Sequence, residues 1–580
     1  MIFLFAKKTE KLIESMKTLD YKWIALSNTT LGALMAGIDA NILLIALPAI
    51  FRGIGINPLA PGEIDYLLWT LMGYTMVLAV LLVAAGRISD MFGRVKMYNL
   101  GFLIFTIGSA LLFFVQGTGD FAALQIIFFR LVQGVGGAML LANSAAILTD
   151  AFPASERGFA LGVNQIAFIT GSFIGLLLGG VLAAFDWRLV FFVSVPFGIL
   201  GTVWAYKMLK EKGEIKTGQT LDVIGNILLA GGLTVLLVAI TYGIIPYGGA
   251  NMGWGNPFVY GGVALGIVML AAFAWYEPRV KHPLFNMELF KIREFAMGNF
   301  AGFLYALARG GLQFMLIIWL QGIWLPLHGY AFEDTPLWSA IYMVPLTLAF
   351  LVAGPVSGYL SDKHGSRPFA VAGMVLLAAG FFGLMLLPAD FEYWQFALIL
   401  TVMGLGTGMF AAPNTSEIMG SVPAHQRGVA SGMRATFQNA ATALSISLIF
   451  TFFTVGLAAN LPPIMHAGLV GKGISEATAT TISNMPPTGM LFATFLGYNP
   501  LGTLLPQAEL ARLSAAASKT IVSTEYFPTL ISPAFIDGTK LAFSLCALVC
   551  IVAAAASFYH SRKKAPAGAK TENQGIISLE

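Results

Sequence analysis

The chain has 580 residues, 57% hydrophobic and 11% charged, with a formal net charge of +4 and mean hydropathy +0.78. A soluble protein of this length folds as several domains and carries about 25% charged residues, so this composition excludes a water-soluble globular chain. The apolar residues recur in continuous runs of roughly 20, the length a helix needs to cross a bilayer, and that continuity excludes a barrel, whose strands alternate over about 10 residues.

Residues 1–23 open with MIFLFAKKTEK. The apolar run is too short for a signal peptide and precedes the lysines, so this segment is predicted to be a basic, partly amphipathic cytoplasmic leader. Fourteen spans follow, at 24–50, 66–86, 97–116, 122–149, 159–184, 188–208, 222–243, 258–276, 297–321, 337–360, 369–388, 394–419, 428–456 and 538–559. Of the 33 Lys and Arg residues, 24 fall in segments on the N-terminal side of the membrane, six on the other side and three inside spans. That asymmetry predicts that both termini are cytoplasmic.

An internal repeat divides the chain. GRISD at 86–90 echoes GYLSD at 358–362, and PASERG at 153–158 echoes PAHQRG at 423–428. Both echoes lie on the same predicted side, as expected of parallel repeats about an axis along the membrane normal. The prediction is an all-α polytopic protein: an N-terminal six-helix bundle (24–208), two linker helices with their flanking loops (209–296), a C-terminal six-helix bundle (297–559) and a tail (560–580). The C-terminal bundle includes a long extracellular loop, 457–537. It contains NMPPTGMLFATFLGYNPLGTLLP, apolar enough to form short helices on the membrane or at the outer mouth.

Charges inside spans are the candidate functional residues, because each is costly in hydrocarbon. Asp39 lies near the middle of span 1 and reads either as a proton carrier or as a structural polar contact. Arg130, predicted close to the outer face, cannot lose its proton; it either tunes a neighbour or snorkels to the interface. Arg309 has no acid on its own span, and Tyr305 and Gln313, four residues to either side, share its face; it lines a substrate cavity or forms a structural bridge. Arg434 reads as a snorkelling residue or a bundle contact, and Glu417 as a carboxylate reaching water. Gly171, Gly175 and Gly179 recur every four residues and form a groove for close backbone approach. That groove serves ordinary packing, or a tight seam between the bundles that blocks leak.

Other chemistries are absent from the pattern. GVGGA at 134–138 lacks the spacing, preceding strand and Lys-Ser of a nucleotide loop. Cys546 and Cys550 share one helix face as packing residues, and neither a disulfide framework nor a zinc site can be built from them. No metal, cofactor, nucleic acid or enzymatic site is expected.

The motifs carry a family resemblance. GRISDMFGRVK resembles the loop signature between helices 2 and 3 of the major facilitator superfamily, G-x-L-[AS]-D-[RK]-x-G-[RK], at Gly86, Ile88, Ser89, Asp90, Gly93 and Arg94, with Met91 where a basic residue is usual. The echo matches at Gly358, Ser361, Asp362, Lys363, Gly365 and Arg367. RLVQGVGGA, from Arg130 through Gln133, is similar to the family's helix-4 motif. GVNQIAFITGSFIGLLLGG resembles the helix-5 antiporter motif at Gly162, Gly171, Gly175, Gly179 and Gly180, with Leu176 in place of its proline. IDANILLIALP and WRLVFFVSVPFG resemble helix-1 and helix-6 motifs of the fourteen-helix drug:proton antiporters, with Asn41 in place of the usual threonine.

The resemblance implies a monomeric carrier in the cell membrane that exports amphipathic, often cationic or aromatic compounds in exchange for protons. It implies proton coupling at Asp39 and Arg130 and a substrate cavity at Asn41, Gln133, Tyr305, Arg309 and Gln313. It also implies a cytoplasmic gate at Gly86, Asp90, Gly93, Arg94, Asp362, Gly365 and Arg367, in which Asp90 meets the helix N-terminus after PAHQRG and latches that side shut. The rival readings are a proton symporter importing a nutrient and a non-transporting receptor or scaffold on the same fold.

Overall fold

A computed structural model describes residues 20–560 apart from 61, 154–155, 214–221, 282 and 424–425. The leader as far as residue 19, the tail from 561 and the middle of both PASERG and PAHQRG lie outside the described residues. Among the described residues, fourteen helices are long and apolar enough to cross a membrane: α1 Tyr21–Ile54, α2 Glu63–Phe92, α3 Arg94–Phe113, α4 Gly119–Ala151, α5 Arg157–Phe185, α6 Leu189–Met208 and α7 Val223–Tyr242. Then come α8 Pro257–Tyr276, α9 Arg293–Leu327, α10 Phe332–His364, α11 Ser366–Leu386, α12 Tyr393–Ser421, α13 Arg427–Val470 and α14 Tyr526–His560. The protein is thus an all-α, multi-pass membrane protein. Helices satisfy every backbone polar group internally, which hydrocarbon demands. The even number of spans among the described residues puts Asp20 and His560 on one side, here called the terminal side.

The repeat seen in sequence is visible in the packing. α1 packs on α5, and α9 on α13; α2 and α3 pack on α4, and α10 and α11 on α12. The two bundles meet along α2 with α13 and along α5 with α10. Exchanging each helix for its repeat partner turns one of these interfaces into the other. The linker helices α7 and α8 pair with each other, and α7 leans on α2 and α13.

Two glycines sit at equivalent turns. Gly93 (φ 107°) alone separates α2 from α3, and Gly365 (φ 86°) alone separates α10 from α11. Both lie in the left-handed region, where a side chain is strained, which explains why the loop motif needs glycine at that place in each copy.

The bundles are joined at the ends opposite the termini. A Cβ on Gly180 of α5 would stand 2.7 Å from Leu337 Cα of α10. Gln321 of α9 donates to the Ile45 carbonyl of α1 at 3.3 Å. The Met72 sulfur of α2 accepts hydroxyl hydrogen bonds from Thr241 of α7 (3.5 Å) and Ser447 of α13 (3.7 Å). Toward the terminal side, Gly162 of α5 and Gly432 of α13 face open space.

The long loop differs from its predicted extent. α13 runs past 456 to Val470 through Pro462 and Pro463, and α14 starts at Tyr526. Prolines signal a helix end because they remove a hydrogen-bond donor, and here the helix tolerates them. The remaining connection folds into short helices, among them Pro487–Phe495, every residue of which is buried. Phe492 stacks on Phe450 of α13 at 5.3 Å, Phe495 meets Phe314 of α9 at 6.2 Å, and a Cβ on Gly489 would lie 3.4 Å from the Pro58 carbonyl. The apolar stretch therefore plugs the mouth between the bundles.

Candidate functional site

Near the middle of α1, Asp39 faces α4. Arg130 and Gln133, three apart on α4, share one face and both reach it. Arg130 Nη1 donates to Asp39 Oδ2 at 2.7 Å, and Gln133 Nε2 donates to Asp39 Oδ1 at 2.8 Å. Arg130 also donates to Gln133 Oε1 at 2.6 Å, and Gln133 donates to the Ser109 hydroxyl of α3 at 2.8 Å. The guanidinium lies 4.4 Å from the centre of the Tyr74 ring of α2. The Asp39 and Arg130 side chains are 2% and 3% exposed, so four helices converge on one buried ion pair. Close helix approach makes the geometry possible: a Cβ on Gly108 would stand 3.0 Å from Gln133 Cβ, and one on Gly137 2.8 Å from the Tyr74 hydroxyl.

Arg130 differs in place from its expectation at the outer interface. α4 begins at Gly119, so the residue lies about three turns in, too deep to snorkel. Its Nε is buried without a partner, a spare donor aimed into the site. Ser109 and Tyr74 were not singled out from the sequence. Hydroxyl residues occur in spans at little cost, so they leave no signal comparable to that of a charge.

The helix-5 glycines build a seam within one bundle, not between bundles. Cβ atoms on Gly171, Gly175 and Gly179 would stand 2.2, 2.3 and 2.7 Å from the carbonyl oxygens of Leu34, Ile38 and Ile42 on α1. Gly37 of α1 answers from the other side, 2.2 Å from the Phe168 carbonyl. Asn41 donates to the Ser172 carbonyl across the same seam at 3.3 Å. Gly180 alone of the motif touches the second bundle, and Gly162 touches nothing within 4 Å. Leu176 is buried, and α5 continues through it.

In the second bundle Tyr305 is buried, its ring 4.8 Å from Phe410 of α12. Arg309 is exposed although it is mid-span, with its guanidinium 5.8 Å from the Phe350 ring of α10. A charge exposed at that depth is costly against lipid. Gln313 lies half-buried beyond an interruption of α9 at Gly311. Arg434 donates to Thr415 of α12 (3.3 Å) and to Gln438 (2.9 Å), a bundle contact and not a snorkelling side chain.

The signature loop forms an ionic cluster inside the first bundle. Arg94 bonds Asp90 at 2.9 Å and Asp150 of α4 at 2.7 Å. Glu211 accepts hydrogen bonds from the Arg94 and Val95 backbone amides at 3.1 and 2.9 Å, so the positive end of α3 is capped by Glu211. Gly86 packs 4.0 Å from Ala142. In the echo, Asp362 is exposed, Ser366 donates to Glu417, and the Arg367 guanidinium covers the Phe558 ring at 3.9 Å. Among the described residues no group of three or more His, Cys, Asp or Glu could hold a metal.

Comparison with known proteins gives this geometry a context. The family model described as Major Facilitator Superfamily matches residues 29–446. The chain is 29% identical over 440 residues to a riboflavin transporter of Clostridioides difficile (strain 630), covering 76% of this chain and 90% of that one. It is 27% identical over 546 residues to a tetracenomycin C resistance and export protein of Streptomyces glaucescens, covering 94% and 92%. Among solved structures it resembles a bacterial homologue of the human lysosomal transporter Spinster, in an inward-facing and occupied conformation. The TM-score is 0.57 at 14% identity, over 94% of this chain and 97% of that one; the likeness is one of fold.

Proposed function

This chain belongs to the major facilitator superfamily and is a secondary active transporter of a small solute, not an enzyme; within that frame we propose that it exports amphipathic drug-like compounds in exchange for protons, as a monomer in the cell membrane with both termini cytoplasmic. The observation that carries this reading is the buried Asp39–Arg130 pair, 2.7 Å apart. A span carboxylate is the group through which membrane carriers handle protons. Here its two oxygens are held by one permanent cation and one neutral amide. Protonation removes the charge that binds Arg130 and leaves the guanidinium held by Gln133 and the Tyr74 ring alone.

The route from that site to the gate follows the packing. α1 carries Asp39, and its glycine-lined face is fixed to the α5 backbone. α5 in turn touches α10 across the bundle boundary through Gly180. A change in the Asp39 site therefore tilts α1 and α5 together against α10, which parts the bundles on one side and closes them on the other. The likeness to an export protein along nearly the whole chain supports the direction. The test is transport in proteoliposomes under an imposed pH gradient. Wild type moves protons when given an exported compound, and Asp39→Asn loses gradient-driven accumulation. Full accumulation by Asp39→Asn removes the proposed coupling.

A further inference from the structure

The interior of the second bundle carries cations that no carboxylate answers. Among the described residues, neither Arg309 nor Arg434 forms an ion pair: Arg309 lies over the Phe350 ring, and Arg434 donates only to the neutral Thr415 and Gln438. Arg434 Nε is buried with no partner. The acids of this bundle are placed elsewhere. Glu294, Glu333, Asp334 and Asp362 lie at helix ends, Asp390 and Glu392 in the connection before α12, and Glu476, Glu509 and Glu525 in the connection between α13 and α14; Glu417 takes the Ser366 hydroxyl near the end of α12, and Asp537 is held by Asn460 and Lys540. In the first bundle Asp39 is already neutralised by Arg130. Among the described residues the interior of the second bundle therefore carries positive charge that no carboxylate neutralises.

The uncompensated arginines share a track. Gln438 gives its carbonyl to Arg434, so its amide NH2 is the end that faces α9. That nitrogen and Asn414 Nδ2 stand 4.0 and 3.3 Å from where a Cβ on Gly302 would be. Gly302 leaves that face of α9 bare, and Arg309 follows two turns along on the same face. From Arg434 through Gln438 and Asn414 to Arg309 the side chains present N–H donors, Asn414 having given one hydrogen to the Gly298 carbonyl at 3.2 Å, and the Tyr305–Phe410 pair and Phe350 supply aromatic surface beside them. Uncompensated charge in a span is expensive, and such charges mark substrate pathways. Guanidinium forks suit a carboxylate, phosphate or sulfonate.

We propose that the transported solute is an aromatic or apolar amphiphile bearing an anionic group, held by Arg434 and Arg309 with Gln438 and Asn414 as further donors. The sign is opposite to the cationic compounds implied by the helix-1 motif. This inference rests on the transporter reading but not on its proton coupling. The test is equilibrium binding to purified full-length protein with two probes sharing one fluorescent body, pyrene-butyrate and its trimethylammonium analogue. The carboxylate probe is expected to bind ~10-fold more tightly than the cation, and Arg309→Gln and Arg434→Gln each to weaken it ~10-fold, with Arg309→Lys recovering part of the loss. Arg309 is exposed, so its replacement leaves packing intact, and an unchanged melting temperature verifies this. Equal or tighter binding of the cation, or undiminished carboxylate binding in folded Arg309→Gln, overturns the proposal. Loss of proton coupling in transport assays with anion preference intact overturns only the exchange reading.

Discussion

Asp39 and Arg130 depend on each other. Removing one partner of a buried pair leaves an uncompensated charge and costs about 3–5 kcal/mol, so Arg130→Ala should melt well below wild type in detergent. Asp39→Asn in the same chain should recover much of the loss, because neighbours in one network are not additive. A double variant whose loss equals the two single losses combined contradicts the pairing. Asp39 and Arg130 were legible in the sequence because a charge in an apolar run is rare enough to notice, whereas Gln133, expected in a substrate cavity, lies in their network instead. Ser109 and Tyr74 complete the same network and were not legible, since neither stands out from ordinary span composition. Depth was also misjudged for Arg130: an early start of α4 at Gly119 moved it inward.

At the scale of elements, the α1–α5 seam brings backbone directly against backbone. Gly175→Leu drives a side chain into the Ile38 carbonyl, 2.3 Å from the Cβ position. Backbone cannot yield as a flexible side chain does, so this variant should express poorly and melt early, whereas Gly162→Leu, with nothing within 4 Å, should behave like wild type. Equal melting temperatures for the two contradict the seam. The four-residue glycine spacing declares close approach, and that part was readable. The partner was not: periodicity fixes which face of a helix is bare, and says nothing of which helix fills it. The groove therefore seemed fit for a seam between bundles when it belongs within one. The same limit applies at α13, expected to end at 456, which continues through Pro462 and Pro463 to Val470.

For the molecule as a whole, the two echoed motifs declared a duplicated architecture, and the paired interfaces α2–α13 and α5–α10 follow from it. Which side stands closed was not in the sequence, because one sequence encodes every state of a cycle. Here the side opposite the termini is closed, by Gly180 against Leu337, by Gln321 on Ile45 and by the buried Pro487–Phe495 helix. Gly180→Leu, which drives a side chain into the Pro336 and Leu337 backbone, should hold that side apart and stop transport. Full transport by folded Gly180→Leu means that the bundles do not close at that point.

In the proposed exchange, Asp39 is the residue through which a proton gradient drives the solute. The most direct measurement is solute-induced proton movement in proteoliposomes, read with an internal pH dye, for wild type and Asp39→Asn side by side. The account predicts proton release in wild type that rises with solute, and none in Asp39→Asn even where downhill solute exchange persists. Equal proton movement in both proteins contradicts it.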